Sequence, residues 1–414
     1  MAERYGDVFR LPLPIWDLVV LNHPDFVEEI LGDRDDRFSM GGSFGNTLTA
    51  FAMSLPGLER ERHRVRRKAL VPVFSRRNLA RFADEIIDEM VARVDRWQEW
   101  VATGDYIDLQ HAIAQVNLPT FLRTMYSTSY GDEELRQMDI DIRALMAASG
   151  SLGFGPTTLH RDWWKVPGAA RRLINQANGL IRERAGQPLD DSKDLLSAVL
   201  AIKEDGKALR HPSKVAEILT LAAGGYDTVV ASLSWTLGLL SLPENRDALE
   251  QLYREVDKLD GRAPSFEDIS GMTWAKACFD EAQRLQGGPV HNRFAMMDVE
   301  IAGHHFPKGT SFGIGWYSMQ TDPRWWPDPM RYDPSRFVDR EIVKARPKHA
   351  FLPFGAGPHM CPGSGMGYLN AQLLLTIIMQ RYYLETPPGW RPGHEFMLST
   401  PVKGGLPVRL RSRI

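Results

Sequence analysis

The chain has 414 residues, 43% of them hydrophobic and 25% charged, with a formal net charge of −2. That balance is ordinary for a globular protein with a sizeable core and exerts no global pull toward nucleic acid or a membrane surface. It carries two cysteines, Cys278 and Cys361, which excludes a disulfide scaffold and fits a reducing, cytoplasmic setting.

Composition is even and no linker interrupts the sequence, so a single domain over 1–414, acting as a monomer, is expected. No basic segment leads into an apolar one at the N-terminus, so no signal peptide or membrane anchor is expected. Strand-like pieces open the chain at Val8–Leu11 and Leu18–Leu21. Glu59–Lys68 is a basic helical stretch in which His63 and Arg67 share a face one turn apart. From Arg76 to Trp100, Leu79, Phe82, Ile86, Met90, Val94 and Trp97 recur at threes and fours, the period of an amphipathic helix. Similar patterns cover Asn117–Tyr126, Ala169–Arg184, Leu195–Lys203, Pro243–Leu259, Trp274–Leu285 and Gly365–Arg381. Strand-like pieces return at Val299–Ile301, Phe312–Ile314 and Pro407–Leu410, and Val299–Phe306 reads as a hairpin. The expected fold is mainly α with a smaller β part (α+β), its β-rich region built from both chain ends.

Ile218–Leu242 is long enough to span a bilayer and holds a single charge, Asp227. An acid at mid-span is costly in lipid, and no second apolar segment exists to join it in a bundle. A long helix buried through the centre of a globular domain is therefore expected. Paired glycines, Gly224 and Gly225, cost a helix interior roughly 1 kcal/mol each. They make sense where something approaches the backbone closely or where the ladder opens to admit water. Asp227 and Thr228 set an acid beside a hydroxyl, the elements of a proton relay. A helix-packing site with a satisfied polar pair is the other reading of the same residues.

Phe354 to Gly363 reads FGAGPHMCPG and holds the densest signal. A thiol placed just before a helix meets unpaired N–H groups and the positive end of the macrodipole, which favours the metal-ligating thiolate. Gly355, Gly357 and Gly363 permit backbone conformations and close approaches that a Cβ would block. One thiolate with no second Cys or clustered His suits a single axial bond to haem iron, and does not suit a zinc or iron–sulfur site. A buried structural thiol in a tight turn is the alternative for such a cysteine taken alone.

The spacing Phe-Gly-x-Gly-x-His-x-Cys-x-Gly, at Phe354, Gly355, Gly357, His359, Cys361 and Gly363, resembles the haem-thiolate loop of cytochromes P450. Gly224, Gly225, Asp227 and Thr228 resemble that family's oxygen-activation motif, with Val229 where a second Thr often stands. Glu281 and Arg284 resemble its Glu-x-x-Arg helix, and Tyr332–Phe337 the companion segment that brings in Arg336. After Arg284 the family usually continues Leu-x-Pro-Pro, whereas this chain has Leu285-Gln-Gly-Gly.

The resemblance implies a P450-like fold with a long central helix over haem b (iron protoporphyrin IX). It makes Cys361 the iron ligand, and Phe354, Gly355, Gly363 and Gly224 part of the cofactor's surroundings. His63, Arg67, Arg293 and His359 become the propionate donors, Thr228 the residue holding dioxygen, and Asp227 its proton source. Glu281, Arg284 and Arg336 would brace the core without taking part in catalysis. No flavin or nicotinamide domain is visible, so the electron donors implied are a ferredoxin and ferredoxin reductase. Arg64, Arg66, Lys68, Arg76 and Arg77 would form the basic patch that receives the ferredoxin. The implied activity is hydroxylation or epoxidation of a hydrophobic small molecule, lined by Phe44, Leu48, Phe51, Met53, Phe154, Ala223, Val290 and His291. Fatty acid, terpenoid, steroid and polyketide all remain open. A peroxide-dependent peroxygenase and a non-catalytic haem-binding sensor are the alternatives, though neither has need of the Asp227–Thr228 pair.

Overall fold

The computed structural model describes residues 2–12, 17–33, 35–40, 53–152, 163–187, 194–288, 291–395 and 399–413. Its axis is the helix His211–Leu240, 30 residues long and started by a proline in its first turn, where the missing N–H costs nothing. Apolar residues occur all round this helix, the pattern of an element buried in a core. Helices Leu109–Tyr126, Thr273–Gln286 and Ser364–Arg381 pack against it. Among the described residues no helix is long and apolar enough to cross a membrane.

The two glycines of the central helix do different things. A Cβ on Gly225 would sit 2.2 Å from the Phe121 ring, so this glycine lets helix Leu109–Tyr126 come close. Asn117 Nδ2, from the same helix, donates to Tyr226 O at 3.0 Å across that contact. A Cβ on Gly224 would meet nothing within 4 Å, because that face borders a cavity.

The main sheet has five strands, in the order Val8–Pro12, Asp17–Leu21, Ser311–Ile314, His291–Ala295, Phe38–Ser39. The C-terminal strand Pro407–Ser412 pairs instead with Tyr382–Glu385 and Ile107–Asp108, so the chain ends contribute to separate sheets. Val299–Ile301 and His304–Phe306 form the expected hairpin.

Most of the expected helices are present; Pro24–Leu31, Trp316–Gln320 and Arg340–Ala345 are additional, and three further differences are informative. The run from Arg76 breaks at Asp95 and resumes as Gln98–Thr103, which Gly104 ends at φ +67°. The helix expected at Asn117 begins at Leu109, where Asp108 accepts a capping bond from Gln110 N at 3.0 Å. The helix Asp132–Leu152 was not expected at all. Its apolar stripe of Leu135, Met138, Ile142 and Met146 is interleaved with the buried acids Asp139 and Asp141, which obscure the period.

Candidate active site

A cavity of about 400 Å³ lies between the central helix and the cysteine loop. Thr220, Leu221, Gly224, Gly225 and Thr228 line it from one side, and Phe354, Cys361, Pro362 and Gly363 from the other. His63, Arg67 and His359 also line it. A second cavity of about 390 Å³ shares His63 and His359 and adds Arg293 and Gly357. Gly355 and Asp227 line neither.

The loop is held in shape by its own backbone. Cys361 N donates to Phe354 O at 2.9 Å, and Gly355 and Gly357 sit at φ +75° and +70°, where a side chain would be strained. A Cβ on Gly357 would also collide with Leu31 O at 1.7 Å. Gly363 needs no unusual φ. Arg67 Nη1 donates to Met360 O at 2.8 Å, tying helix Arg60–Leu70 to the residue before Cys361. Burial pushes the Cys361 thiol up, while the Gly363 N–H and Arg67 pull it down less strongly.

Basic and aromatic groups gather along one edge, with Asp33, Asp36 and Glu59 also lining the second cavity. His63 stacks on His359 with ring centroids 3.9 Å apart. Burial, followed by the charges of Arg67, Arg64 and Arg293, pushes His63 down to about 4, so it is neutral at neutral pH. Arg293 is 4% exposed, and burial pushes it down to about 10 against the pull of Glu59. Its Nη1 donates to Asn292 O at 2.9 Å. Buried guanidinium groups supported by backbone carbonyls favour an incoming carboxylate.

The two candidate relay residues face different ways. Thr228 is exposed to the cavity, and its hydroxyl donates to Gly224 O at 2.5 Å. Asp227 is 3% exposed and turned away from the cavity. Burial pushes its carboxyl up, opposed by the Ser399 hydroxyl and Arg143.

Glu281, Arg284 and Arg336 come together as expected. Arg284 forks onto Glu281 at 2.7 and 2.8 Å, and Arg336 Nε lies 3.3 Å from the same carboxylate. Arg66 does not join the basic patch. It is fully buried, held at 2.7 Å by both Glu204 and Glu217, while Arg64, Lys68, Arg76 and Arg77 remain exposed.

Of the expected pocket residues, Phe44, Leu48, Phe51, Phe154 and Val290 lie outside the described residues. Met53 and Ala223 are not among the cavity's lining, and His291 pairs with Ile314 in the main sheet. The lining instead includes Leu55, Trp316, Gln286, Ser399 and Thr400. Trp316 had no signal, but its reason is visible: a Cβ on Gly288 would lie 2.8 Å from its ring. Gly288 thus makes room for this indole, while Gly287, at φ +69°, leaves space for the Tyr317 side chain.

A single cysteine, a cationic edge and an open glycine on the facing helix make a donor set that fits haem. The family model for Cytochrome P450 matches residues 1–405. The chain belongs to the cytochrome P450 family. It is a haem-thiolate monooxygenase, an oxidoreductase whose cofactor is haem b. Cytochrome P450 132 of Mycobacterium tuberculosis is 27% identical over 435 residues, covering 99% of this P450 and 91% of the relative. Cyclooctat-9-en-7-ol 5-monooxygenase of Streptomyces melanosporofaciens is 26% identical, covering 93% of this chain and 84% of its own. Pentalenene oxygenase of Streptomyces avermitilis is 28% identical, with 93% and 86% covered. Among solved structures, the P450DA heme domain superposes with a TM-score of 0.86 at 21% identity, covering 100% of this chain and 91% of that one. Cytochrome P450 CYP102L1 gives 0.85 at 19%, with 100% and 96% covered.

Proposed function

We propose that this P450 inserts one oxygen atom from O2 into a hydrophobic small molecule, by hydroxylation or epoxidation, with electrons from a separate ferredoxin and its reductase. The observation that carries this is the cavity lined together by Cys361, Arg67, His63, His359 and Thr228, with Arg293 on the adjoining cavity that shares both histidines. Cys361 would ligate the iron, with Phe354, Gly355, Gly363 and Gly224 shaping the slot around the ring. Arg67, Arg293, His359 and neutral His63 would hold the propionates. When bound, the haem supplies the oxygen chemistry, and thiolate ligation favours O–O cleavage.

Thr228 acts in this reading through its hydroxyl. Its proton is committed to Gly224 O, which leaves the hydroxyl oxygen free to accept a bond from the cavity it lines. Asp227 lies one residue away, and burial pushes its carboxyl up, which widens the pH range over which it can carry a proton. Thr228→Ala should therefore leave haem binding intact while the share of electrons recovered in product falls severalfold and peroxide rises. Coupling equal to the wild type would remove Thr228 from the mechanism.

The lining is mostly apolar, with Leu55, Phe121, Leu221, Phe279 and Trp316 around it. The Streptomyces relatives are named for cyclooctat-9-en-7-ol and pentalenene, which supports trying cyclic terpenoid skeletons first. Spin-state titration of the holoenzyme against such a panel tests the substrate class, with labelled dioxygen to trace the inserted atom. Turnover at full rate with peroxide alone would instead favour the peroxygenase reading.

Exposed Lys68, Arg76 and Arg77 lie beside the helix that carries Arg67, and an acidic ferredoxin would meet them. Changing all three to Glu should slow reduction about tenfold at low salt, with the difference shrinking as salt rises. Rates unchanged at every salt concentration would place the electron donor elsewhere.

A further inference from the structure

On its side away from the cavity, the central helix meets an ion cluster that the site so far leaves unused. Asp139, 1% exposed, comes from helix Asp132–Leu152. Three groups converge on its carboxylate. His111 Nδ1, from helix Leu109–Tyr126, lies 3.0 Å from Oδ2. Arg143 Nε donates to Oδ1 at 2.6 Å, and the Tyr226 hydroxyl donates to the same oxygen. The His111 side chain is 48% exposed, so the cluster reaches bulk water.

Its inner end stops at Asp227. Arg143 Nη2 and Asp227 Oδ2 are both buried, and among the described residues neither atom has a hydrogen-bond partner within normal geometry, although the Ser399 hydroxyl is near enough to pull the Asp227 carboxyl down. One is a donor and the other an acceptor. They also sense each other: burial pulls the Arg143 guanidinium down, and Tyr226, Asp139 and Asp227 together outweigh it. Two complementary unsatisfied atoms at the junction of three helices require an explanation.

We propose that His111, Asp139 and Arg143 are positioning residues that conduct protons from bulk water to Asp227, entering from the side away from the cavity. The proposal rests on the reading of Asp227 as the proton source. For each oxygen atom inserted, the other leaves as water with a pair of protons and a pair of electrons. The electrons come from the redox partner, and the protons come along this line. His111 passes its Nδ1 proton to Asp139 Oδ2 as the other nitrogen of the half-exposed ring takes one up from bulk water. Asp139 hands the proton on through a water held between Arg143 Nη2 and Asp227 Oδ2, returning to carboxylate. Arg143 stays charged throughout and aligns the donor and acceptor. The Tyr226 phenol is raised well above its ordinary value by burial and then by Asp139, so it remains a neutral donor that holds Asp139 in place.

The groups facing Asp227 are Tyr226 on its own helix, Asp139 and Arg143 on the second, and Ser399 from the C-terminal loop. Asp139 pushes its carboxyl up and Arg143 pulls it down. In the infrared, the carboxylic-acid band assigned by its loss in Asp227→Asn should thus titrate lower in Asp139→Asn and higher in Arg143→Gln. In the reconstituted holoenzyme, His111→Gln should lower coupling severalfold and enlarge the solvent deuterium isotope effect on turnover. Its carbon-monoxide spectrum and substrate spin shift should match the wild type. His111 is half-exposed, so this variant remains informative if Asp139→Asn fails to fold. Wild-type coupling and isotope effect in His111→Gln, alongside a collapse in Asp227→Asn, would overturn the proposal while sparing Asp227's role. Wild-type behaviour in Asp227→Asn as well would overturn both.

Discussion

Arg284→Ala should yield protein that binds no haem. Arg284 is fully buried and makes five hydrogen bonds: two to Glu281 and one each to Gln320 O, Pro329 O and Arg331 O. It also lies 5.0 Å above the Trp326 ring. The three carbonyls belong to the segment after strand Ser311–Ile314, so this one side chain fastens that segment to helix Thr273–Gln286. Breaking a buried pair by removing one partner costs about 3–5 kcal/mol, against a total stability of about 5–15 kcal/mol for a domain. The same segment runs on to the cysteine loop, and Leu352 N bonds to Gln320 Oε1 at 3.0 Å. Loosening it therefore reaches the slot itself.

Absorbance of haem relative to protein, together with Tm, checks this. Burial already pushes Glu281 up, and Arg284 is the largest pull against it. The double variant Glu281→Gln/Arg284→Ala should accordingly be more stable than Arg284→Ala, because no carboxylate is left stranded. Normal haem content in the single variant would show that the network does not brace the site.

What could be read from the sequence was what is local. The cysteine loop announces itself because its glycines answer to backbone angles at Gly355 and Gly357, fixed within ten residues of chain. The central helix shows through its length and uniform apolarity. Arg66 could not be placed, since its partners Glu204 and Glu217 lie 138 and 151 residues away. A buried arginine inside a basic run looks like any other until those acids are known. The helix Asp132–Leu152 was hidden for the same reason: Asp139 and Asp141 read as surface acids, yet both are buried against arginines. Strand His291–Ala295 has almost no β-pattern of its own and is made by its neighbours. At Asp227 and Thr228, adjacency in sequence does not mean a shared face. Consecutive residues on a helix point about 100° apart, so the hydroxyl faces the cavity and the acid faces the ion cluster behind.

Cys361→His should abolish the strongly red-shifted Soret band of the reduced, carbon-monoxide-bound protein, and monooxygenation with it. The expectation turns on there being no substitute thiolate. The other cysteine, Cys278, is fully buried, does not line the cavity, and is held well above an ordinary thiol by burial. Cys361 itself is pushed up by burial, and its two opposing groups, the Gly363 N–H and Arg67, are not enough to reverse this. Metal binding must supply the rest of the stabilisation, because a coordinating thiol is deprotonated outright by the cation. The band is thus a direct report on that bond, and the loop's rigidity decides where the ligand atom sits. A histidine there keeps a metal-binding nitrogen but loses the electron-rich sulfur that favours O–O cleavage. Haem retained with a His-type band and no turnover would establish Cys361 as the source of the chemistry. An unshifted wild-type spectrum would instead mean that Cys361 does not ligate the iron, and that the loop serves only as a structural turn.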